Sequence, residues 1–121
     1  MSRLSEELRL RTKRYASQTI KVYVKLPLGR EEVRVLGKQL LRSGTSVAAH
    51  AREAARARSA SEFCSKLDGL LQEADESQLW LELLRDDCEI AGEGIDFVQR
   101  ETNELMAIFT TMVSKLRKSG V

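Results

Sequence analysis

Phe63 to Leu84 reads FCSKLDGLLQEADESQLWLELL, and Ile95 to Leu116 reads IDFVQRETNELMAIFTTMVSKL. The first stretch carries a seam at Phe63, Leu67, Leu70, Ala74, Ser77, Leu81 and Leu84. The second carries one at Ile95, Val98, Thr102, Leu105, Phe109, Met112 and Leu116. Both alternate steps of three and four, the period of helices packed side by side at about +20°. The Gly92-Glu93-Gly94 break folds the two into a hairpin. Setting Leu84 against Ile95 and Leu81 against Val98 then places Ser77 and Thr102 in one layer. These are the only polar positions in either seam, and their coincidence supports an antiparallel pair.

The remaining sequence supplies two more helices. One runs from Ser5 to Leu26, with Leu8, Thr12, Tyr15, Ala16, Thr19, Ile20, Tyr23 and Leu26 inward, and it stops at Pro27 and Gly29. The next begins near Glu31 and sets Val33, Leu36, Leu40, Ser43, Val47, His50, Ala54 and Ala57 on one stripe. Beside it lies a stripe of small residues, Gly37, Gly44, Ala48, Ala51 and Ala55. Glycine within a helix costs about 1 kcal/mol relative to alanine, so two of them predict a close neighbouring helix. Ser59-Ala60-Ser61-Glu62 reads as a capping box opening the third helix. The prediction is a single all-α domain over residues 1–121, an antiparallel up-down four-helix bundle.

Composition narrows the function. With 42% hydrophobic and 31% charged residues, the chain is too apolar for disorder. One proline disfavours an all-β sandwich or barrel. Six aromatics make an RNA-binding sheet with stacked bases a poor match. No signal peptide and no apolar run of about 20 residues is present, so a cytoplasmic protein is expected, with no membrane partner. Cys64 and Cys88 fall in what reads as one continuous helix, roughly 36 Å apart, and are expected to be reduced thiols.

Charge is uneven. Residues 1–30 carry eight basic and two acidic side chains, and residues 31–60 carry six and three. Residues 61–100 reverse this, with three basic and eleven acidic. Arg11, Arg14, Lys21 and Lys25 form a stripe on the first helix. Arg34, Lys38 and Arg42, then Arg52 and Arg56, repeat it on the second. Arg11, Arg14, Lys21, Lys25, Arg34 and Lys38 are therefore the candidate contacts to nucleic-acid phosphate. The same stripe offers two other readings, a solvated face or a surface that meets the acidic half of a neighbouring copy.

Little points to catalysis. His50 is the only histidine, with Glu53 three residues later, and an enzyme reading would pair it with Glu53 or Glu73 in an inter-helix cleft. No arginine stands four to six residues before His50, as one group of helical ribonucleases requires. Glu73, Asp75 and Glu76 lack the Glu-x-x-His pattern of di-metal bundles, so neither a metal nor a cofactor is expected. Arg42, Ser43, Ser46, His50, Glu53, Glu73, Ser77 and Thr102, with Trp80 beside them, read instead as a polar network that fixes helix register.

The run Leu36-Gly37-Lys38-Gln39-Leu40-Leu41-Arg42-Ser43-Gly44-Thr45-Ser46-Val47 continues through His50 to Arg52-Glu53-Ala54. With Glu73-Ala74-Asp75-Glu76-Ser77, Trp80-Leu81-Glu82-Leu83-Leu84 and the opening Arg11-Thr12-Lys13-Arg14-Tyr15-Ala16, it resembles a bacterial four-helix-bundle family. That family was first noticed in open reading frames within 23S ribosomal RNA intervening sequences, and the resemblance covers nearly the whole chain. It implies a homopentameric assembly with no established enzyme activity. Its relatives include the accessory protein of diversity-generating retroelements, a basic pentamer that works with a reverse transcriptase and its nucleic acid. The family usually has asparagine where this chain has His50. Together these features lead to a non-enzymatic oligomeric scaffold or binding module, with self-association and nucleic acid or a nucleic-acid enzyme as expected partners. A protein-only adaptor is the alternative.

Overall fold

The computed structural model describes residues 2–121. Four helices follow one another: α1 (Glu6–Lys25), α2 (Glu31–Ala55), α3 (Ala60–Asp86) and α4 (Glu93–Lys118). Each helix packs on its chain neighbours and α4 closes back onto α1, while the diagonal pairs stand further apart across the core. This is the expected up-down four-helix bundle, with no strand among the described residues. Gln78 with Asn103, and Arg85 with Asp96, hold α3 and α4 within two residues of the expected register.

Local chemistry sets the ends. The Ser5 hydroxyl accepts from the Leu8 N–H and the Ser59 hydroxyl from the Glu62 N–H, each relieving an orphan donor. The other half of the capping box is used differently, because the Glu62 carboxylate lies 3.6 Å from Arg58. Expected and observed structure part company at the end of α3. Cys88 lies beyond the helix, where Glu89 takes a left-handed φ of 59° and the Ile90 N–H reaches back to the Leu84 carbonyl. Both cysteines are buried and free. Gly92, at φ 146°, then turns the chain into α4, a conformation that side chains rarely adopt.

The core joins the predicted seams, with small corrections. Ile20, expected inward, is 45% exposed, and Val22 is buried on that side of α1. Val113 is buried where Met112 was expected and Met112 only packs at the margin. Leu4 ahead of α1 is also buried, held there as the Arg3 N–H bonds the Ala55 carbonyl at 3.2 Å.

One polar layer crosses this apolar interior. Tyr15, Ser43, Ser77 and Thr102, one from each helix, are all essentially inaccessible. Ser77 and Thr102 do share a layer, but each bonds a different helix. The Ser43 and Ser77 hydroxyls meet at 2.7 Å, and the Tyr15 and Thr102 hydroxyls at 2.7 Å. Burial raises the Tyr15 pKa, although bonds to Thr102 and Ser77 pull it the other way.

The glycine stripe of α2 sits against α1 as its spacing predicts. A Cβ on Gly44 would stand 2.7 Å from Thr19 Cγ2, and one on Gly37 would stand 2.8 Å from Leu26 Cδ1. Thr19 cannot yield, being β-branched, fully buried and bonded to the Tyr15 carbonyl at 2.9 Å. Across the α1–α4 seam, Arg11 makes two bonds of 2.8 Å to Glu101 and one of 2.9 Å to Glu104. Arg11 holds the Glu101 carboxyl below its ordinary pKa, against the opposing effect of burial.

Four variants test this packing. Gly44→Ala is expected to lose about 1–2 kcal/mol in denaturant melts, because overpacking outweighs helix propensity. Gly94→Ala, whose Cβ meets only Val22 Cγ2 at an ordinary 3.6 Å, should instead gain about 0.5 kcal/mol. Thr102→Val keeps the shape but takes away the Tyr15 hydroxyl's 2.7 Å partner, for an expected loss of about 1–3 kcal/mol. Arg11→Met should lose a similar amount at pH 7 by leaving Glu101 without its main partner. Because the folded Glu101 pKa is lowered, its contribution is complete above the ordinary carboxylate pKa and disappears as pH falls through the lowered value. The Arg11→Met protein should therefore show a flatter loss of stability with acid than the parent.

Candidate nucleic-acid interface

The six basic candidates separate once the helices are packed. Arg11 is turned inward to Glu101 and Glu104, and Arg34 is paired with Glu31 on its own helix. Arg14, Lys21, Lys25 and Lys38 remain exposed, and no carboxylate lies within 4.0 Å of any of them among the described residues. Free cations therefore lie along α1 and α2, although fewer of them belong to the predicted stripe.

A concavity of about 1240 Å³ opens between the first half of α1 and the last half of α2. Arg9 and Lys13 line it from α1, one turn apart, and Arg52 near the end of α2 and Arg56 just past that end line the other side. All four are exposed and none is within 4.0 Å of a carboxylate among the described residues. Sequence reasoning placed Arg52 and Arg56 in a basic stripe but missed Arg9 and Lys13. Their i,i+4 spacing was visible, but that they face α2 depends on how α1 is rotated against it. At the opposite end of the bundle, Glu82, Asp86, Asp87, Glu89 and Glu93 surround the α3–α4 turn, exposed and without a basic partner within 4.0 Å.

The expected polar network also divides. Ser43, Ser77 and Thr102 belong to the buried layer. Arg42 lies outside it and half exposed, bridging α2 to Glu73 at 3.0 Å and Glu76 at 2.9 Å on α3. Ser46 is only partly buried, with no side-chain hydrogen bond in the structure. Trp80 packs against the core with its indole N–H unpartnered.

His50 stands apart from the layer, with its ring over Gly69 of α3, where an added Cβ would come within 2.9 Å of it. Its Nδ1 lies 3.7 Å from Glu53, and Glu53 is itself 3.8 Å from Lys66. Glu73, the other carboxylate of the enzyme reading, is engaged by Arg42. His50 lines neither the α1–α2 concavity nor a smaller one of about 450 Å³ around Asp68 and Arg117. No group of three or more potential metal-ligating side chains converges among the described residues, and none of the helices is long and apolar enough to cross a membrane.

No curated protein is similar enough to the chain to count as a match. Among solved structures, it is similar to a protein from Bacteroides thetaiotaomicron VPI-5482 described as having unknown function and belonging to the S23 ribosomal protein family. The two share 31% identity and a TM-score of 0.77, over 87% of this chain and 96% of that one. A family model described as 23S rRNA-intervening sequence protein matches residues 7–111, which span all four helices. The chain belongs to the 23S rRNA-intervening sequence protein family.

Proposed function

We propose that this protein is a non-catalytic, self-assembling bundle that binds nucleic-acid backbone through α1 and α2 with little regard to sequence. The carrying observation is that Arg14, Lys21, Lys25 and Lys38 stay exposed with no carboxylate in reach. Uncompensated cations along adjacent helices release counterions from phosphate. No recognition-helix motif is present to read base edges.

Self-assembly draws on a different feature. Ile20 and Val24 project from the solvent side of α1 at 45% and 65% exposure, and Val35 of α2 is 49% exposed. Large apolar side chains left outside a filled core suit a contact with further copies. The family resemblance sets the expected count at five, in a closed ring. Its apolar contacts should make the ring persist near 1 M salt, where exposed charge pairs are screened.

Light scattering followed by titration of labelled duplex and single-stranded DNA and RNA tests both parts. The expected result is a pentamer whose affinity falls steeply with salt. Lys21→Glu with Lys25→Glu should weaken binding to every sequence alike and leave the fold intact, because both side chains are exposed. A monomer at micromolar concentration would remove the assembly, and absence of binding at about 50 mM salt would remove the nucleic-acid reading.

A further inference from the structure

We infer that the concavity between α1 and α2 seats the phosphodiester backbone of a single strand, an inference that rests on the nucleic-acid reading above. Its two walls carry matched cations, Arg9 and Lys13 facing Arg52 and Arg56. The members of each pair stand four residues apart, about 6 Å of rise at 1.5 Å per helical residue, a spacing close to that of neighbouring phosphates on an extended strand. Three carboxylates also reach the rim, but Glu53 is beside Lys66 and Glu62 beside Arg58, which among the described residues leaves only Glu6 unpaired. The charge offered to a ligand is thus positive from both sides.

Shape distinguishes the ligand. A duplex is convex and carries its phosphates outermost, so it meets a convex helix face such as the one bearing Arg14, Lys21 and Lys25. A single strand can lie down in a cleft and be contacted from two walls at once. The volume, about 1240 Å³, exceeds the roughly 300–1,000 Å³ of small-molecule pockets and suits an extended occupant. No aromatic side chain lines the cleft, and Leu10, Ala48 and Ala49 contribute its apolar surface. Bases therefore find no stacking platform, and the strand is held by its backbone.

The test uses the full-length protein, a labelled single strand of about 20 nucleotides and the blunt duplex of the same sequence, each at 50 and 200 mM salt. With four phosphates neutralised at a slope near −0.7 each, strand affinity should fall about 50-fold between the two salts. Arg52→Glu with Arg56→Glu, or Arg9→Glu with Lys13→Glu, should weaken strand binding at least about tenfold and halve that slope, while duplex binding changes less than about threefold. Thermal melts establish that the variants fold. The neutral pair Arg52→Gln and Arg56→Gln, which retains most of each side chain, should give the same ordering with a smaller loss. Equal losses on strand and duplex would overturn the inference. So would unchanged strand binding in the groove variants when Lys21→Glu with Lys25→Glu abolishes it, and that result leaves the broader reading standing. Failure of the parent protein to bind either probe removes both.

Discussion

Two hydroxyl pairs, Ser43 with Ser77 and Tyr15 with Thr102, hold the middle of a mainly apolar bundle in register. Seams repeating every seven residues can slide by a heptad and still bury apolar surface, so hydrophobicity alone specifies register weakly. A slid helix would leave a buried hydroxyl unpaired, at a cost of about 1–3 kcal/mol for each group. Every helix contributes one member to the layer, so each is constrained against a neighbour. Hydrophobic burial stabilises the bundle, and the polar layer selects one arrangement from several of similar burial.

The same layer accounts for the close approach of α1 and α2. Thr19 bonds the Tyr15 carbonyl one turn away and presses against Gly44, the residue immediately after Ser43. A side chain at Gly44 would push α1 away from α2 at the level where Tyr15 must reach Thr102. The glycine is therefore kept by the demands of the layer despite its penalty within a helix. His50 is a second case, since its ring occupies space that Gly69 leaves open on α3.

Electrostatics divides the basic residues into two populations with different work. Arg11, Arg42, Arg85 and Arg117 tie helix to helix through carboxylates on the neighbouring element. Arg9, Lys13, Arg52 and Arg56 have no such partner and line one open cleft. Pairing within the fold consumes charge that a ligand would otherwise meet. Net charge of +2 therefore understates the positive potential at the groove end and hides the negative potential at the α3–α4 turn.

Four helices, their order and the α3–α4 register were legible in the sequence because a three-and-four period is a local property of the chain. The capping serine at Ser59, the glycine stripe of α2 and the buried Ser77 and Thr102 were legible for the same reason. Tyr15 was read as inward, but its part in the polar layer was invisible, since a hydroxyl at the tip of an aromatic ring finds its partner only across a packed interface. The roles of Arg11 and Arg9 were likewise beyond reach. The two residues stand two apart on one helix, and the rotation of α1 sends one to Glu101 and the other to the cleft. Sequence alone determined which faces are apolar and which are charged, because periodicity is written along a single helix. Which charges are neutralised across helices and which remain available was decided only when the helices packed, because such an ion pair needs two elements brought within about 4 Å.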